Sequence, residues 1–388
     1  MNFVCISPHF PPNFVSFWTR LAAAGVRVLG IAEEPYHLLP PELQQALTEY
    51  YRVENLSDDD EVIRACGYFT HRYGKIDRFE SHNEHWLELD AKLRSDFNAP
   101  GIKRDEIMDM KLKSRMKKAF NQARVTVVEG TIVNDITAGR AFIANHSYPV
   151  IVKPDNGVGA ADTWRLNNDS ELEQFFAHKP PIDYFMEPFV TGGIETFDGL
   201  VDAAGQVVFS SSLVYGSGVM ESVNNEVDLH YHIPRVMPED LVKAGLATVK
   251  AFGIRERFFH VEYFRTPENQ LIGLEINIRP PGGLTVDMFN YANDIDIFSE
   301  YSNIVQGHPF NADISRRHVC HYAGRKYGKP YTYSVDEILS RHGATIAHHQ
   351  AIDSIFSAAI GNYGFIIRTP TIEEGQAVVA DIHRLNNQ

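Results

Sequence analysis

The chain has 388 residues, 44% apolar and 22% charged, which is too long for one compact core and too close to globular averages for a disordered or fibrous chain. A formal net charge of −14 repels phosphate backbones and anionic lipid, so neither nucleic acid nor membrane is expected as a partner. Cys5, Cys66 and Cys320 lie too far apart for a disulfide framework or a zinc spacing, and neither a secretory leader nor a membrane span is evident, so a cytoplasmic setting is expected.

Residues 1–104 alternate strand and helix. Strands are expected at 3–6, 26–32, 51–54 and 78–82. Helices are expected at 13–24, capped by Asn13 and stopped by Gly25, and at 41–47, 57–73 and 85–97. Connections this short imply a parallel sheet. Ligands of such sheets sit at the carboxyl ends of the strands, here residues 7–13, 33–36 and 81–84.

A basic helix is expected over 105–122, read either as a solvated face or as a phosphate-facing one. A buried strand then ends in Lys153 and runs into the loop 155–161, with Gly157 and Gly159. A helix follows at 170–177, a strand at 184–190, and two strands through Val201 and Leu213. Beyond a polar loop at 216–235 come a helix at 238–252, a hairpin of 258–265 with 271–278, and a helix at 284–305. Residues 311–388 mix strand and helix and carry no assignable motif.

The hairpin carries the most chemistry. Residues two apart on a strand share a face, so Glu275 points with Asn277, and His260 with Glu262. Two carboxylates and an amide on one face suit a hard cation with oxygen ligands, above all Mg²⁺, with Mn²⁺ as the substitute. Arg279 lies on the same face, and Pro280–Pro281–Gly282–Gly283 lets backbone N–H groups face an anion. Any Glu-x-Asn alone is equally a polar outer sheet face. Lys153 with its Gly-x-Gly turn can place an ammonium and N–H groups on a phosphate chain, although the full Walker and dinucleotide fingerprints are missing. In Met186–Glu187–Pro188–Phe189–Val190 a strand edge can bond a base through its backbone, and Glu195 can accept from ribose hydroxyls.

Taken in this order, the motifs of residues 1–310 resemble those of the ATP-grasp superfamily, and the chain is similar to its carboxylate–amine ligases, such as L-amino acid ligases. The resemblance implies an α/β (α+β) architecture. Its parts would be a parallel pre-ATP-grasp domain (1–104), a small lid subdomain (105–188), an antiparallel-sheet catalytic subdomain (189–310) and a C-terminal extension (311–388). It places Lys111 and Lys153 on the ATP phosphates, with Lys113 competing for the first role. Glu187, Phe189 and Val190 fall on the adenine hinge, Glu195 on the ribose, and Glu262, Glu275 and Asn277 on the metal. Arg279 would steady the transferred phosphoryl group, with Gly282 and Gly283 at the oxyanion. A loop with only Gly157 and Gly159 before Ala160 departs from the family pattern.

The implied reaction joins a small-molecule carboxylate and an amine through an acyl-phosphate, releasing ADP and phosphate. A biotin-carboxylase-like carboxylase and a catalytically silent ATP-binding regulator are the alternatives. His260 reads as a general base, as a partner of Glu262 or as a packed strand histidine. Glu84 reads as a site for a substrate ammonium or as a helix-start carboxylate. Residues 215–226 and 230–235 are expected to line the acceptor site, and a homodimer is left open.

Overall fold

A computed structural model describes residues 1–157, 162–216 and 227–386. Gly159, and with it most of the expected acceptor stretch 215–226, lies outside the described residues. Among the described residues the strands form three sheets.

The first sheet is parallel, in the order Leu47–Arg52, Arg27–Ala32, Asn2–Ile6, Arg78–Glu80. Strand Asn2–Ile6 is buried on both faces, as parallel strands between helices are. Phe3 and Cys5 pack with Trp18 and Leu21 of helix Val15–Ala23. Val4 and Ile6 pack with Val62, Cys66 and Phe69 of helix Asp59–Tyr73, whose start is capped by Asp58. Phe17 joins this domain to the rest: its ring lies 5.5 Å from Phe258 and 5.2 Å from Tyr301.

The second sheet is antiparallel, Thr131–Ile132, Tyr184–Pro188, Val150–Pro154, Trp164–Leu166, covered by helices Ile136–His146 and Asp169–His178. The third has nine strands. It begins at the edge with Leu271–Asn277, Arg257–Arg265 and Gly193–Val201, continues through Val214–Tyr215 and His230–Ile233, and ends in Val319–Arg325, Tyr363–Thr369 and Ile346–Ala351, with Val207–Ser211 paired to Gly193–Val201 as the ninth. Three strands of the 311–388 segment are thus continuous with the strands that carry Glu262 and Glu275. Among the described residues no helix is long and apolar enough to cross a membrane.

Three expectations change. The basic helix of 105–122 is two helices, Arg104–Lys111 and Lys113–Gln122, broken where Leu112 is extended (φ −78°, ψ 120°). The break is held from outside: Lys113 N–H donates to the Asp155 carbonyl at 3.1 Å, and the Asp155 carboxylate accepts from Ser114 N and Oγ, both at 2.7 Å. The helix of 284–305 is likewise two, Thr285–Asn293 and Ile297–Val305; Asp294 adopts a left-handed conformation (φ 55°) and Asp296 caps the second through Ser299 N–H at 3.1 Å. Asn13 caps nothing. It lies inside the 3₁₀ turn Pro12–Phe14, and its amide instead donates to the Gly283 carbonyl at 3.0 Å and to Asp287 Oδ2 at 2.9 Å.

Candidate active site

Strands Arg257–Arg265 and Leu271–Asn277 pair so that Glu262 lies directly opposite Glu275, and His260 opposite Asn277. The register slips immediately afterwards, Tyr263 pairing with Gly273, and such a bulge bends the strand beside the carboxylates. Both carboxylates are half-buried, 21% and 16% exposed. Like charges directly opposite across a sheet repel. The nearest lysine ammonium, Lys113 Nζ, stands 4.0 Å from Glu275 Oε2. Two facing carboxylates, Glu275 of which meets a lysine only at this distance, fit a hard divalent metal. No cluster of three His, Cys, Asp or Glu groups suited to a metal occurs among the described residues; on this face the oxygen-bearing groups that could hold a cation are this pair and the Asn277 amide.

His260 is buried between two carboxylates. Its Nδ1 is 2.5 Å from Asp198 Oδ1 and its Nε2 is 3.0 Å from Glu262 Oε1. Carboxylates only accept, so both ring nitrogens carry protons. Burial opposes that charge, but Asp198 and Glu262 outweigh it and push the imidazole up to about 10. Asp198 is fixed in turn: Thr196 Oγ1 donates to its Oδ2 at 2.5 Å, and Leu213 N–H donates to Thr196 Oγ1 at 2.9 Å. A chain of buried hydrogen bonds therefore orients Glu262. His260 is thus a hydrogen-bonded partner of that carboxylate.

The lysines converge from separate elements. Lys153, at the end of its buried strand, bonds Glu187 Oε1 at 2.6 Å. Lys117 reaches Glu187 Oε2 at 3.0 Å. Burial disfavours the Glu187 charge, yet the two ammonium groups hold it down at about 2. Burial works against the Lys153 charge as well, but Glu187, Glu275 and Glu262 raise it, which brings this lysine into the field of the hairpin carboxylates. Lys113 donates to the Gly157 carbonyl at 3.2 Å, at the start of the glycine loop. Lys111 is paired at 2.7 Å with Glu88, which also accepts from Asn156 of the same loop. The break at Leu112 separates Lys111 from Lys113.

Arg279 donates through Nη2 to Glu84 Oε2 at 2.7 Å and through Nη1 to the Pro280 carbonyl at 2.9 Å. With its nitrogen toward Glu84, the Asn277 amide donates to Oε2 and Oε1 at 3.1 and 3.2 Å. Glu84 thus ties the parallel domain to the hairpin. Gly283, four residues past Arg279, adopts φ 62°, a left-handed conformation that suits glycine. The hinge positions are less free than the sequence suggests. Glu187 faces lysines, Phe189 N–H donates to the Pro149 carbonyl at 3.1 Å, and Glu195 accepts from Arg265 Nη2 at 2.9 Å. Val190 lies half-buried at the crossing from the second sheet to the third.

A family model for the carbamoyl-phosphate synthase L chain, ATP binding domain, matches residues 113–180, the segment that carries Lys113, Lys117 and Lys153. A 139-residue stretch, 32% of this chain, is 25% identical to the carbamoyl phosphate synthase large chain of Synechocystis sp. and spans 13% of that protein's length. The fold is matched over nearly the whole chain. An L-amino acid ligase from Bacillus licheniformis superposes with a TM-score of 0.76 at 16% identity, covering 98% of this chain and 96% of that one. The N5-carboxyaminoimidazole synthetase of Staphylococcus aureus, complexed with ADP, gives 0.74 at 15% identity, covering 97% and 95%. The biotin carboxylase domain of the Hydrogenobacter thermophilus 2-oxoglutarate carboxylase gives 0.67 at 16% identity, covering 95% and 86%.

The chain has the ATP-grasp fold. Within it, the described geometry adds residues that the motifs do not name. Lys117 was legible: it stands one helical turn after Lys113, on the same face. Asp198 faces His260 only through the pairing of Gly193–Val201 with Arg257–Arg265, and Asp155 reaches Ser114 only through tertiary packing. Neither carries a local signal.

Proposed function

We propose that the protein is an ATP-dependent carboxylate–amine ligase acting on small molecules through an acyl-phosphate. One observation supports this above the others: Glu262 and Glu275 are paired face to face, and a lysine from a different sheet lies within their field. A triphosphate with its metal is the ligand that such facing charges would share.

In this reading Lys113, Lys117 and Lys153 neutralise phosphate oxygens, Lys113 taking the role that the motif alone gave to Lys111. Gly157 and Gly159 belong to the loop over the phosphates. Val190 and Phe189 offer backbone to the adenine edge, and Glu195 shares its carboxylate between Arg265 and the ribose hydroxyls. Glu262, Glu275 and Asn277 hold Mg²⁺, or Mn²⁺, whose charge offsets that of the phosphate oxygens. A carboxylate oxygen of the substrate attacks the γ-phosphorus, the bond to the β-phosphate oxygen breaks, and ADP leaves. The amine nitrogen then attacks the acyl carbon; the acyl C–O bond breaks, phosphate departs, and the amine loses a proton. Arg279, planar and always charged, faces the acyl-phosphate. Glu84, already bonded to it, holds its guanidinium in place. The N–H groups of Gly282 and Gly283 face the tetrahedral oxyanion.

The test is incubation with ATP, Mg²⁺ and pooled carboxylates and amines, with ADP, phosphate and product mass followed. ADP release that needs both pools and yields a dehydrated adduct is expected. Release that needs bicarbonate would make the protein a carboxylase, and ATP binding without ADP under every pool would make it a regulator.

A further inference from the structure

The ligase reading leaves unused a carboxylate just past the Gly282–Gly283 turn. Asp287, half-buried in the first turn of helix Thr285–Asn293, accepts from Asn13 Nδ2 at 2.9 Å and from its own backbone N–H. The same amide nitrogen donates to the Gly283 carbonyl at 3.0 Å, so Asp287 is fastened to the turn expected to face the oxyanion. Burial raises Asp287 above the usual carboxylate range, opposed by Asn13 and by the more remote His348. A carboxylate has room for several donors, and a half-withdrawn one bonded only to neutral N–H groups is under-neutralised.

The wall beside it is apolar and comes from two distant parts of the chain. Phe10, in the loop at the carboxyl end of strand Asn2–Ile6, stacks on Phe356 with ring centres 5.3 Å apart. Phe356 and Ile360 lie one turn apart on helix Ser354–Ile360, in the 311–388 segment. A Cβ placed on Gly283 would come within 3.2 Å of Ile360 Cδ1. Phe10, Asn13, Gly283, Ile360 and Phe356 thus form an incomplete ring of residues next to Asp287, joined by the Phe10–Phe356 stack, the Asn13 hydrogen bonds and the approach of Ile360 to Gly283.

We propose that this ring is the acceptor subsite and that it takes a primary ammonium carrying an apolar group, the charge on Asp287 and the apolar group against Phe10, Phe356 and Ile360. The proposal rests on the ligase reading for its place in the reaction, and on geometry alone for its ligand. It also gives the 311–388 segment a part in selecting substrate.

Calorimetric titration without nucleotide tests it, using 2-phenylethylamine, ethylamine and the neutral isostere 2-phenylethanol on the full chain. The wild type is expected to bind 2-phenylethylamine about tenfold or more tightly than either of the others. Asp287→Asn should erase the preference over 2-phenylethanol. Phe356→Ala, on a half-buried position of a surface helix, should erase the preference over ethylamine, with melting midpoints confirming that both variants fold. Equal binding of the three probes to wild type, or wild-type preferences in both variants, would overturn the proposal. Equal binding of the three probes by the wild type, with amine-dependent ADP release intact, would sink the subsite alone. Intact preference without any ADP release would sink the ligase reading alone.

Discussion

The two halves of the site are built on different principles. In the hairpin, His260, Glu262, Glu275 and Asn277 sit on two adjacent strands, and their mutual placement follows from pleat and register. In the lysine half, Lys113 and Lys117 come from a helix, Lys153 from the end of an inner strand, and Gly157 from a loop, and what joins them is Asp155 and Glu187. Strand geometry is local and repeats every two residues, so spacing alone brings the hairpin side chains together. The lysines meet only because tertiary contacts break one helix and seat it on a different sheet.

Mutations can sharpen or break this contrast. The largest effect is expected at the hairpin. Glu275→Gln removes one of two opposed charges at no cost in shape, and turnover should fall by about 10²–10³-fold or more with an unchanged circular dichroism spectrum. Retained turnover would remove the carboxylate pair from the chemistry.

Lys113→Ala should weaken ATP binding by about tenfold, the loss of one charge-assisted contact, measured by nucleotide titration. Unchanged affinity would return the phosphate contact to Lys111.

Glu187→Gln tests the tertiary clamp through pH. Glu187 is held at about 2, below its ordinary 4.5, so its contribution to stability is present above 4.5 and is lost as pH falls toward 2. The wild type should therefore show a decline in melting midpoint across that acid window. The variant should be less stable at neutral pH and show a shallower decline. An identical acid profile in both proteins would break the assignment of Glu187 as the partner that anchors Lys153.

The smallest effect is expected at Lys111→Ala. Lys111 pairs with the half-exposed Glu88, and such pairs contribute at most about 1 kcal/mol to stability. ATP affinity should stay within about twofold of wild type.

The sequence by itself determined the parallel strand–helix alternation of the first domain, the hairpin with its bridging turn, and the faces that its acidic and amide side chains share. These rest on periodicities of two and 3.6 residues, which any stretch of chain carries locally. Only the tertiary structure decided where the helix of 105–122 breaks, because Leu112 has no breaker chemistry and the stop comes from Asp155 across the fold. It also decided that Asp198 would brace His260, that Glu84 would be spent on Arg279, and that Asn13 would leave its expected cap for Gly283 and Asp287. Each of these is a contact between residues tens to hundreds of positions apart, and a hydrogen bond of that span leaves no mark on the spacing of the residues it joins.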